Sequence, residues 1–310
     1  MEKVAFIFPG QGSQKLGMLA DYYDQFPIIK STFDEANQAL GFDLWDIVQN
    51  NAEKLAQTQY TQPALLASSV AIYRLLMAQG FEKPALMAGH SLGEYSALVC
   101  AGALDFGDAL RLVKARGEFM QEAVPVGTGA MCAIIALTDE QVRDICEKSS
   151  EGEVVTAANY NAPGQVVISG EAGAVARASI LAKESGARMA QMLPVSVPSH
   201  CELMRPAAKK LAKLLEEINI SIPTIPVIHN ADVVAYSHKD DIKDALVRQL
   251  YAPVRWAETI ILMADDGIES ILECGSGKVL SGLGKRIVKG MKLQNTSSVS
   301  ELEKILELTK

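Results

Sequence analysis

The sequence predicts an α/β fold in which a large hydrolase-like domain with a mostly parallel sheet carries a small inserted ferredoxin-like domain. Three observations lead to this prediction. Residues 4–8 form a β-rich run that ends at a Pro-Gly turn, residues 85–101 have the pattern of strand, turn and helix, and residues 127–195 follow the order βαββαβ. Strands that alternate with helices indicate a parallel sheet, and the βαββαβ order is typical of ferredoxin-like units.

The large domain is predicted to comprise residues 1–126 and 196–310. Short apolar runs bounded by turn residues predict buried strands, and apolar residues spaced three or four apart predict helices. The predicted strands are residues 4–8, 85–88, 225–228 and 268–273. The predicted helices are one that begins at residue 13 and those at residues 63–79, 94–101, 106–122, 205–218 and 241–251.

The small domain, residues 127–195, begins where the composition changes. Residues 124–129 (Val-Pro-Val-Gly-Thr-Gly) are typical of a hinge, because Pro and Gly interrupt regular structure. Residues 159–164 predict a loop, and Thr138 is a candidate helix N-cap. The predicted strands are residues 130–136, 154–158, 165–169 and 188–193, and the predicted helices are residues 138–148 and 171–185.

Composition narrows the classes of function. The 310 residues are 49% apolar and 21% charged, which is ordinary for a globular enzyme, and the net charge of −8 argues against broad nucleic-acid binding. The apolar run near the N-terminus is too short for a signal peptide. The sequence also lacks an uninterrupted apolar run of about 18 residues, so we expect no membrane-spanning helix.

The cysteines indicate a reducing compartment. They are five in number, scattered, and without the Cys-x-x-Cys spacing of zinc or redox sites. We therefore expect buried, reduced thiols, no metal site and a cytoplasmic location. The five residues are Cys100, Cys132, Cys146, Cys201 and Cys274.

Residues 89–93 (Gly-His-Ser-Leu-Gly) match the Gly-x-Ser-x-Gly pattern of a nucleophile elbow, and they lie between a predicted strand and a predicted helix. The flanking glycines permit a sharp turn that exposes Ser91 at the carboxyl end of the strand. The amide of Leu92 begins the helix and points to the same place, so it can stabilise an oxyanion. Ser91 is therefore the candidate nucleophile.

A serine nucleophile needs a base, and four histidines are available. His90 adjoins Ser91, but adjacent side chains on a sharp turn usually diverge. His229 ends a predicted strand and could be an interior polar group, whereas His238 lies in a charged loop. His200 follows a strand-like run in a loop, where a catalytic base is expected, although an ordinary structural role stays open.

Arg116 lies in a predicted helix beside other cations. One interpretation is a solvated helix face, which we favour for Arg111 and Lys114. The other is a binding group for an acyl substrate with a carboxylate, because a guanidinium can bind a carboxylate through two hydrogen bonds.

Together, several motifs resemble the malonyl-CoA:acyl carrier protein transacylases of type II fatty acid synthesis. The resemblance covers nearly the whole chain, from residue 8 to residue 280, and the motifs occur in the order found in that family. They are residues 10–14 (Gly-Gln-Gly-Ser-Gln), 89–95, 116–117 with 120–121, 159–165, 197–201 (Val-Pro-Ser-His-Cys) and 249–251.

The resemblance implies a role for each matching residue. Ser91 attacks the thioester of malonyl-CoA, and His200 takes its proton and later protonates the leaving thiolate. The main-chain carbonyl of Gln249 orients His200 where many serine hydrolases use an aspartate. The reaction is then ping-pong, with acyl carrier protein attacking the malonyl-serine.

The resemblance also implies the residues that bind substrate. The amides of Gln11 and Leu92 form the oxyanion hole, and Arg116 binds the malonyl carboxylate. The substrates are malonyl-CoA and holo acyl carrier protein, no metal or organic cofactor is needed, and a monomer is expected. An acidic carrier protein calls for a basic rim, for which the candidates are Lys183 with Arg188, or Lys278, Lys285 and Arg286.

Three other classes of function compete with this interpretation. A serine hydrolase shares the elbow but gives Arg116 no role, and its His-Gly-Gly-Gly-type loop is absent from the sequence. A nucleotide-binding module is suggested by residues 275–278 (Gly-Ser-Gly-Lys), but the P-loop spacing fails at Leu272 and Val279. A non-catalytic scaffold would not need Ser91 and His200.

Overall fold

The computed structural model describes residues 3–195 and 197–307, and it places the strands of these residues in two sheets. The predicted domain limits at residues 1, 196 and 310 lie outside the described residues. The strands are β1 (Val4–Phe8), β2 (Leu86–Gly89), β3 (Gly129–Ile135), β4 (Val155–Ala162), β5 (Gln165–Glu171), β6 (Met189–Met192), β7 (Val227–His229), β8 (Val234–Ala235), β9 (Ser270–Glu273) and β10 (Lys292–Asn295).

Helices lie between most of the strands along the chain. They are α1 (Ala20–Gln25), α2 (Pro27–Leu40), α3 (Leu44–Asn50), α4 (Ala52–Leu55), α5 (Thr58–Ala78), α6 (Gly93–Cys100), α7 (Phe106–Ala123), α8 (Asp139–Ser150), α9 (Ala172–Glu184), α10 (Arg205–Glu217), α11 (Lys239–Gln249), α12 (Trp256–Asp265), α13 (Val279–Ile287) and α14 (Val299–Glu307). A short 3-10 helix, Glu202–Met204, precedes α10.

The larger sheet has the strand order β10-β9-β1-β2-β7-β8. The pairs β10/β9, β9/β1, β1/β2 and β2/β7 are parallel, and only the short edge pair β7/β8 is antiparallel among the described residues. The carboxyl ends of β1, β2 and β7 therefore meet at one edge, which is where ligands bind in open α/β sheets.

The smaller sheet has the order β4-β5-β3-β6, and its pairs are antiparallel. Helices α8 and α9 pack on it around a separate apolar core that includes Ile134, Ile168 and Val175. The α/β class, with a mostly parallel sheet and a separate antiparallel sheet, is thus confirmed. The predicted N-cap is also observed, since Thr138 Oγ1 accepts from the Gln141 amide at 3.2 Å and Gln141 Oε1 accepts from the Thr138 amide at 2.8 Å.

Two predicted elements are wrong. The chain after residue 13 forms turns, and the first helix begins only at Ala20, because Leu19 adopts a left-handed backbone with φ of 62° that interrupts a helix. Residues 159–162 are not a loop, since β4 continues through them with two register shifts. The Tyr160 amide donates to the Val254 carbonyl at 2.9 Å, so the distant segment around Val254 supports this part of β4.

The core of the large unit lies around α5. This helix is buried on nearly all sides and begins five residues before the predicted start at Pro63, which lies inside it. All five cysteines are buried and have free thiols. Among residues 3–195 and 197–307, no helix has the length and apolar character needed to span a membrane.

Helix α7 crosses α5 in close contact at Gly117. A Cβ on Gly117 would lie 2.8 Å from the backbone N and Cα of Gln59. Real side chains do not approach a backbone this closely, so the two helices could remain packed only if one of them shifted. Gly117 therefore fixes the distance between the helix that carries Arg116 and the helix that carries Gln62.

We predict that Gly117→Ala lowers the free energy of unfolding by about 1–3 kcal/mol, as expected for overpacking against a rigid backbone. Urea denaturation measures the change. The matched control is Gly282→Ala in α13, where an added Cβ would meet no atom within 4 Å. The control is expected to be neutral or to stabilise by up to about 1 kcal/mol. Equal stability of the two variants would contradict the prediction.

Candidate active site

Ser91 lies on the predicted sharp turn between β2 and α6. Its backbone has φ of 52°, the left-handed region that side chains rarely adopt. A Cβ on Gly89 would lie 1.9 Å from the Gly93 carbonyl carbon, and a Cβ on Gly93 would lie 2.0 Å from the Phe8 carbonyl oxygen. Both positions therefore require glycine, and the strand-turn-helix geometry predicted for the elbow is observed.

Of the four histidines, His200 is the one that contacts Ser91 through a hydrogen bond among the described residues. Its Nε2 lies 2.8 Å from Ser91 Oγ, and its Nδ1 lies 2.8 Å from the main-chain carbonyl of Gln249. Because a carbonyl only accepts, Nδ1 carries the proton and Nε2 is free to accept one from Ser91. The side chain of His200 is buried, and its backbone φ of 64° is again left-handed.

The other histidines have different surroundings. His90 lines the same cavity as Ser91, and its Nε2 lies 2.8 Å from Asn161 Oδ1. His229 is buried, with its Nδ1 2.7 Å from Glu94 Oε1. His238 is exposed at the start of α11.

The surroundings of His200 keep it neutral. Burial, together with the positive charge of Arg116, lowers the pKa of His200 to about 3, although the Gln249 carbonyl favours the protonated form. The imidazole is therefore uncharged near neutral pH and can accept a proton.

Arg116 is buried, with only 1% of its surface exposed, so it is not part of a solvated helix face. Its Nη1 donates to Gln62 Oε1 at 2.8 Å, and its Nη2 donates to Gln249 Oε1 at 3.1 Å and to Ser91 Oγ at 3.3 Å. Burial lowers the pKa of Arg116, but a guanidinium remains charged in proteins. In contrast, Arg111 is paired with Asp108 and Lys114 with Glu118 on the same helix.

Polar residues behind Ser91 hold the elbow, and the motifs in the sequence did not predict them. Asn230 Oδ1 accepts from the Ser91 amide at 2.7 Å, and Asn230 Nδ2 donates to the Gly89 carbonyl at 2.7 Å. The side chain of Gln249 donates to the Ser91 carbonyl at 3.0 Å and to Glu94 at 2.9 Å. One signal was available, since Asn230 lies two residues after the predicted strand at residues 225–228, whose carboxyl end reaches the same sheet edge as Ser91.

A cavity of about 450 Å³ opens in front of Ser91 and His200. Gln11 and Leu92, the expected oxyanion-hole residues, line it. The amide of Leu92 lies at the start of α6, where backbone amides have no acceptor within the helix. The apolar part of the wall comes from both units: Met120, Met131, Val167, Leu193, Val195, Val197, Leu280 and Leu283.

The two candidate basic patches lie at different places. Lys278, Lys285 and Arg286 are exposed at and along α13, the helix whose residues Leu280 and Leu283 line the cavity. Arg286 also donates to Gln165 Oε1 of the small sheet at 2.6 Å. Lys183 and Arg188 are exposed on the small unit. Within the described part of the chain, no cluster of three or more His, Cys, Asp or Glu side chains could hold a metal ion.

A serine on an elbow, a histidine that contacts it and a buried arginine form the kind of site expected in an enzyme that handles acyl groups. Residues 5–302 match the family model described as acyl transferase domain. The malonyl CoA-acyl carrier protein transacylase of Escherichia coli strain K12 is 55% identical over 99% of this chain and 100% of its own length.

Two solved structures are similar over nearly their whole length. An acyl carrier protein S-malonyltransferase from Vibrio cholerae is 56% identical with a TM-score of 0.95, covering 98% of this chain and 99% of its own. A malonyl-transacylase solved in complex with a type II polyketide synthase acyl-carrier protein is 52% identical with a TM-score of 0.97, covering 99% of both chains. The chain belongs to the malonyl-CoA:acyl carrier protein transacylases of the acyl transferase family, which confirms the resemblance found in the motifs.

We predict that His200 stays neutral between pH 8 and pH 5. In the unfolded chain a histidine has a pKa of about 6.5. Below that pH the unfolded state binds a proton that His200 in the folded protein does not bind. This difference lowers the stability of the fold as the pH falls from about 6.5 towards 3. Nitrogen-detected NMR of labelled imidazole measures the protonation state, with the urea-unfolded protein as control. A midpoint near 6.5 in the folded protein would disprove the prediction.

Proposed function

We propose that this protein transfers the malonyl group from malonyl-CoA to the phosphopantetheine thiol of acyl carrier protein, through a malonyl ester of Ser91. The observation that carries the proposal is the position of Ser91 Oγ, 2.8 Å from His200 Nε2 and 3.3 Å from the buried Arg116 guanidinium. The names of the similar proteins, and the complex of one of them with a carrier protein, support the same substrates.

In the first half-reaction, Ser91 Oγ attacks the thioester carbon while its proton moves to His200 Nε2. The carbonyl oxygen becomes an oxyanion, for which the amides of Gln11 and Leu92 are the proposed donors. The carbon–sulfur bond then breaks, and the His200 imidazolium gives its proton to the departing thiolate of CoA. The products are malonyl-Ser91, free CoA and neutral His200.

In the second half-reaction, the same steps run with the phosphopantetheine thiol as nucleophile. The thiol gives its proton to His200 Nε2, and its sulfur attacks the ester carbon. The bond to Ser91 Oγ breaks, and the serine oxygen recovers the proton from His200. This ping-pong sequence balances with Ser91, His200 and the two substrates, so we propose no metal or organic cofactor.

Arg116 is the proposed binding group for the malonyl carboxylate. Its guanidinium is adjacent to Ser91 Oγ, which is where an acyl group on the serine would extend. A carboxylate bound there would replace the weak contact with Ser91 and neutralise a charge that lowers the pKa of His200. Binding of the malonyl group would thus strengthen the base that the transfer requires.

We also propose a domain organisation, an oligomeric state, a location and a surface for the carrier protein. The two units are proposed to be a hydrolase-like domain and a ferredoxin-like insertion, supported by the strand orders and by the βαββαβ order within residues 127–195.

A monomer in the cytoplasm is proposed, because the Ser91, His200 and Arg116 contacts form within one chain and the cysteines are free thiols. We propose neither nucleic-acid nor membrane binding, and we place the carrier protein near the basic residues of α13.

We predict that malonyl-CoA mixed with the protein yields one malonyl group on the peptide that contains Ser91. Acid quench followed by peptide mass spectrometry detects the adduct, because serine esters survive acid. Ser91→Ala is expected to abolish both the adduct and transfer. Transfer without any adduct, or transfer retained in Ser91→Ala, would disprove the covalent route, and hydrolysis of malonyl-CoA in place of transfer would indicate a thioesterase.

We predict that Arg116→Ala lowers kcat/KM for malonyl transfer by about 100-fold, because two charged hydrogen bonds to the carboxylate are lost. Transfer of an acetyl group should change by less than about threefold, since acetyl has no carboxylate. The measurement is transfer from each acyl-CoA to carrier protein. The control is Arg111→Ala, an exposed arginine on the same helix. Equal losses for malonyl and acetyl would contradict the assigned role.

A further inference from the structure

A buried carboxylate lies directly behind the site. Glu94, in the first turn of α6, has no exposed surface and accepts from His229 Nδ1 at 2.7 Å, from the Asn230 amide at 2.9 Å and from Gln249 Nε2 at 2.9 Å. No step proposed above uses this carboxylate. Burying an ionised group is unfavourable unless a partner compensates it, so the counter-charge of Glu94 has to be identified.

His229 is the neighbour that could carry a positive charge, and its contacts argue against one. Its Nδ1 donates to Glu94, but its Nε2 is buried and has no hydrogen-bond partner among the described residues. Protonation would place an unpaired, charged N–H at Nε2, whereas the neutral ring leaves only a lone pair there. His229 therefore fits as a neutral donor, and Glu94 keeps its negative charge.

The side chain of Gln249 joins Glu94 to Arg116. Its Nε2 donates to Glu94 Oε2 at 2.9 Å, and its Oε1 accepts from Arg116 Nη2 at 3.1 Å. The amide dipole is thus aligned with its positive end on the anion and its negative end on the cation. All three side chains are buried, so solvent screens the attraction between the two charges only weakly.

We propose that Glu94 is the fixed counter-charge of Arg116, linked to it by the Gln249 amide, and that it limits how tightly Arg116 holds the carboxylate of the acyl group. The inference rests on the proposed function. A buried cation without a counter-charge would bind an incoming carboxylate very tightly. Tight binding of the malonyl group on Ser91 would slow its transfer to the carrier protein. Binding that stabilises malonyl-Ser91 but not the following transition state raises the barrier between them.

The first test is Glu94→Gln, which removes the charge and keeps the shape. The new amide oxygen can still accept from Asn230 and Gln249. Its N–H group can donate to His229 Nδ1 once the imidazole proton moves to Nε2, where the neutral N–H has no partner among the described residues. We expect KM for malonyl-CoA to fall about tenfold and kcat to fall by a similar factor. KM for acetyl-CoA should change by less than about twofold. If KM for malonyl-CoA rises, or if both acyl-CoA substrates change alike, Glu94 has only a structural role.

The second test exchanges the two side chains in the double variant Glu94→Gln with Gln249→Glu. The charge and the main-chain carbonyl that His200 contacts are kept, but the carboxylate now lies directly on Arg116. The hydrogen bond from residue 249 to the Ser91 carbonyl is lost, and KM for acetyl-CoA, measured in the same variant, separates that loss from the effect of the charge. We expect KM for malonyl-CoA to rise about tenfold, opposite to the single variant. A fall, or no change, would overturn the proposal even if the single variant does not fold.

The wild-type protein, measured in the same assays, separates this inference from the proposed function. If the wild type does not transfer malonyl groups to carrier protein, the proposed function is wrong. If the wild type is active but the two variants do not shift KM for malonyl-CoA in opposite directions, the role of Glu94 is wrong and the proposed function stands.

Discussion

The site depends above all on one buried residue, Gln249. Its main-chain carbonyl accepts from His200, and its side chain contacts the Ser91 carbonyl, Arg116 and Glu94. The base, the elbow and the cation are thus all positioned from a single point at the end of α11. Since Gln249 is itself only 1% exposed, the packing of α11 against α10 determines the geometry of all three.

The strained turn at Ser91 is held by Asn230, which follows a strand of the main sheet, and by Gln249. Ser91 has a left-handed backbone, a conformation that costs of order 1–3 kcal/mol and persists only when its surroundings hold it. Asn230 at the end of β7 binds the Ser91 amide, and Gln249 binds its carbonyl, so both sides of the residue are held. The strain is therefore maintained by one residue that follows the parallel strand β7 and by one at the end of helix α11.

The sequence predicted the fold class and the sharp turn at Ser91 for reasons that can be named. Glycine is required at 89 and 93 because other side chains would overlap the backbone, and such a local requirement is visible in a motif. The continuation of β4 through residues 159–162 was not visible, because it depends on pairing with Val254, far away in the chain. The burial of Arg116 likewise depends on α5, which packs against α7, and on Gln249 at the end of α11. From helical periodicity alone, Arg116 could not be distinguished from Arg111.

The use of a neutral carbonyl to orient His200 suits the proposed exchange between two thiols. An aspartate in its place would raise the pKa of the imidazole and stabilise the imidazolium. With Gln249 the imidazolium forms only transiently, since burial and Arg116 hold the pKa of His200 at about 3. Such an imidazolium is a strong acid, and it readily protonates a thiolate, whose conjugate thiol has a pKa of about 8.5. The donor and acceptor are both pantetheine thiols, so the same proton transfer must work in each direction. A base that is neutral at rest, and strengthened only when a carboxylate-bearing acyl group reaches Arg116, meets this requirement.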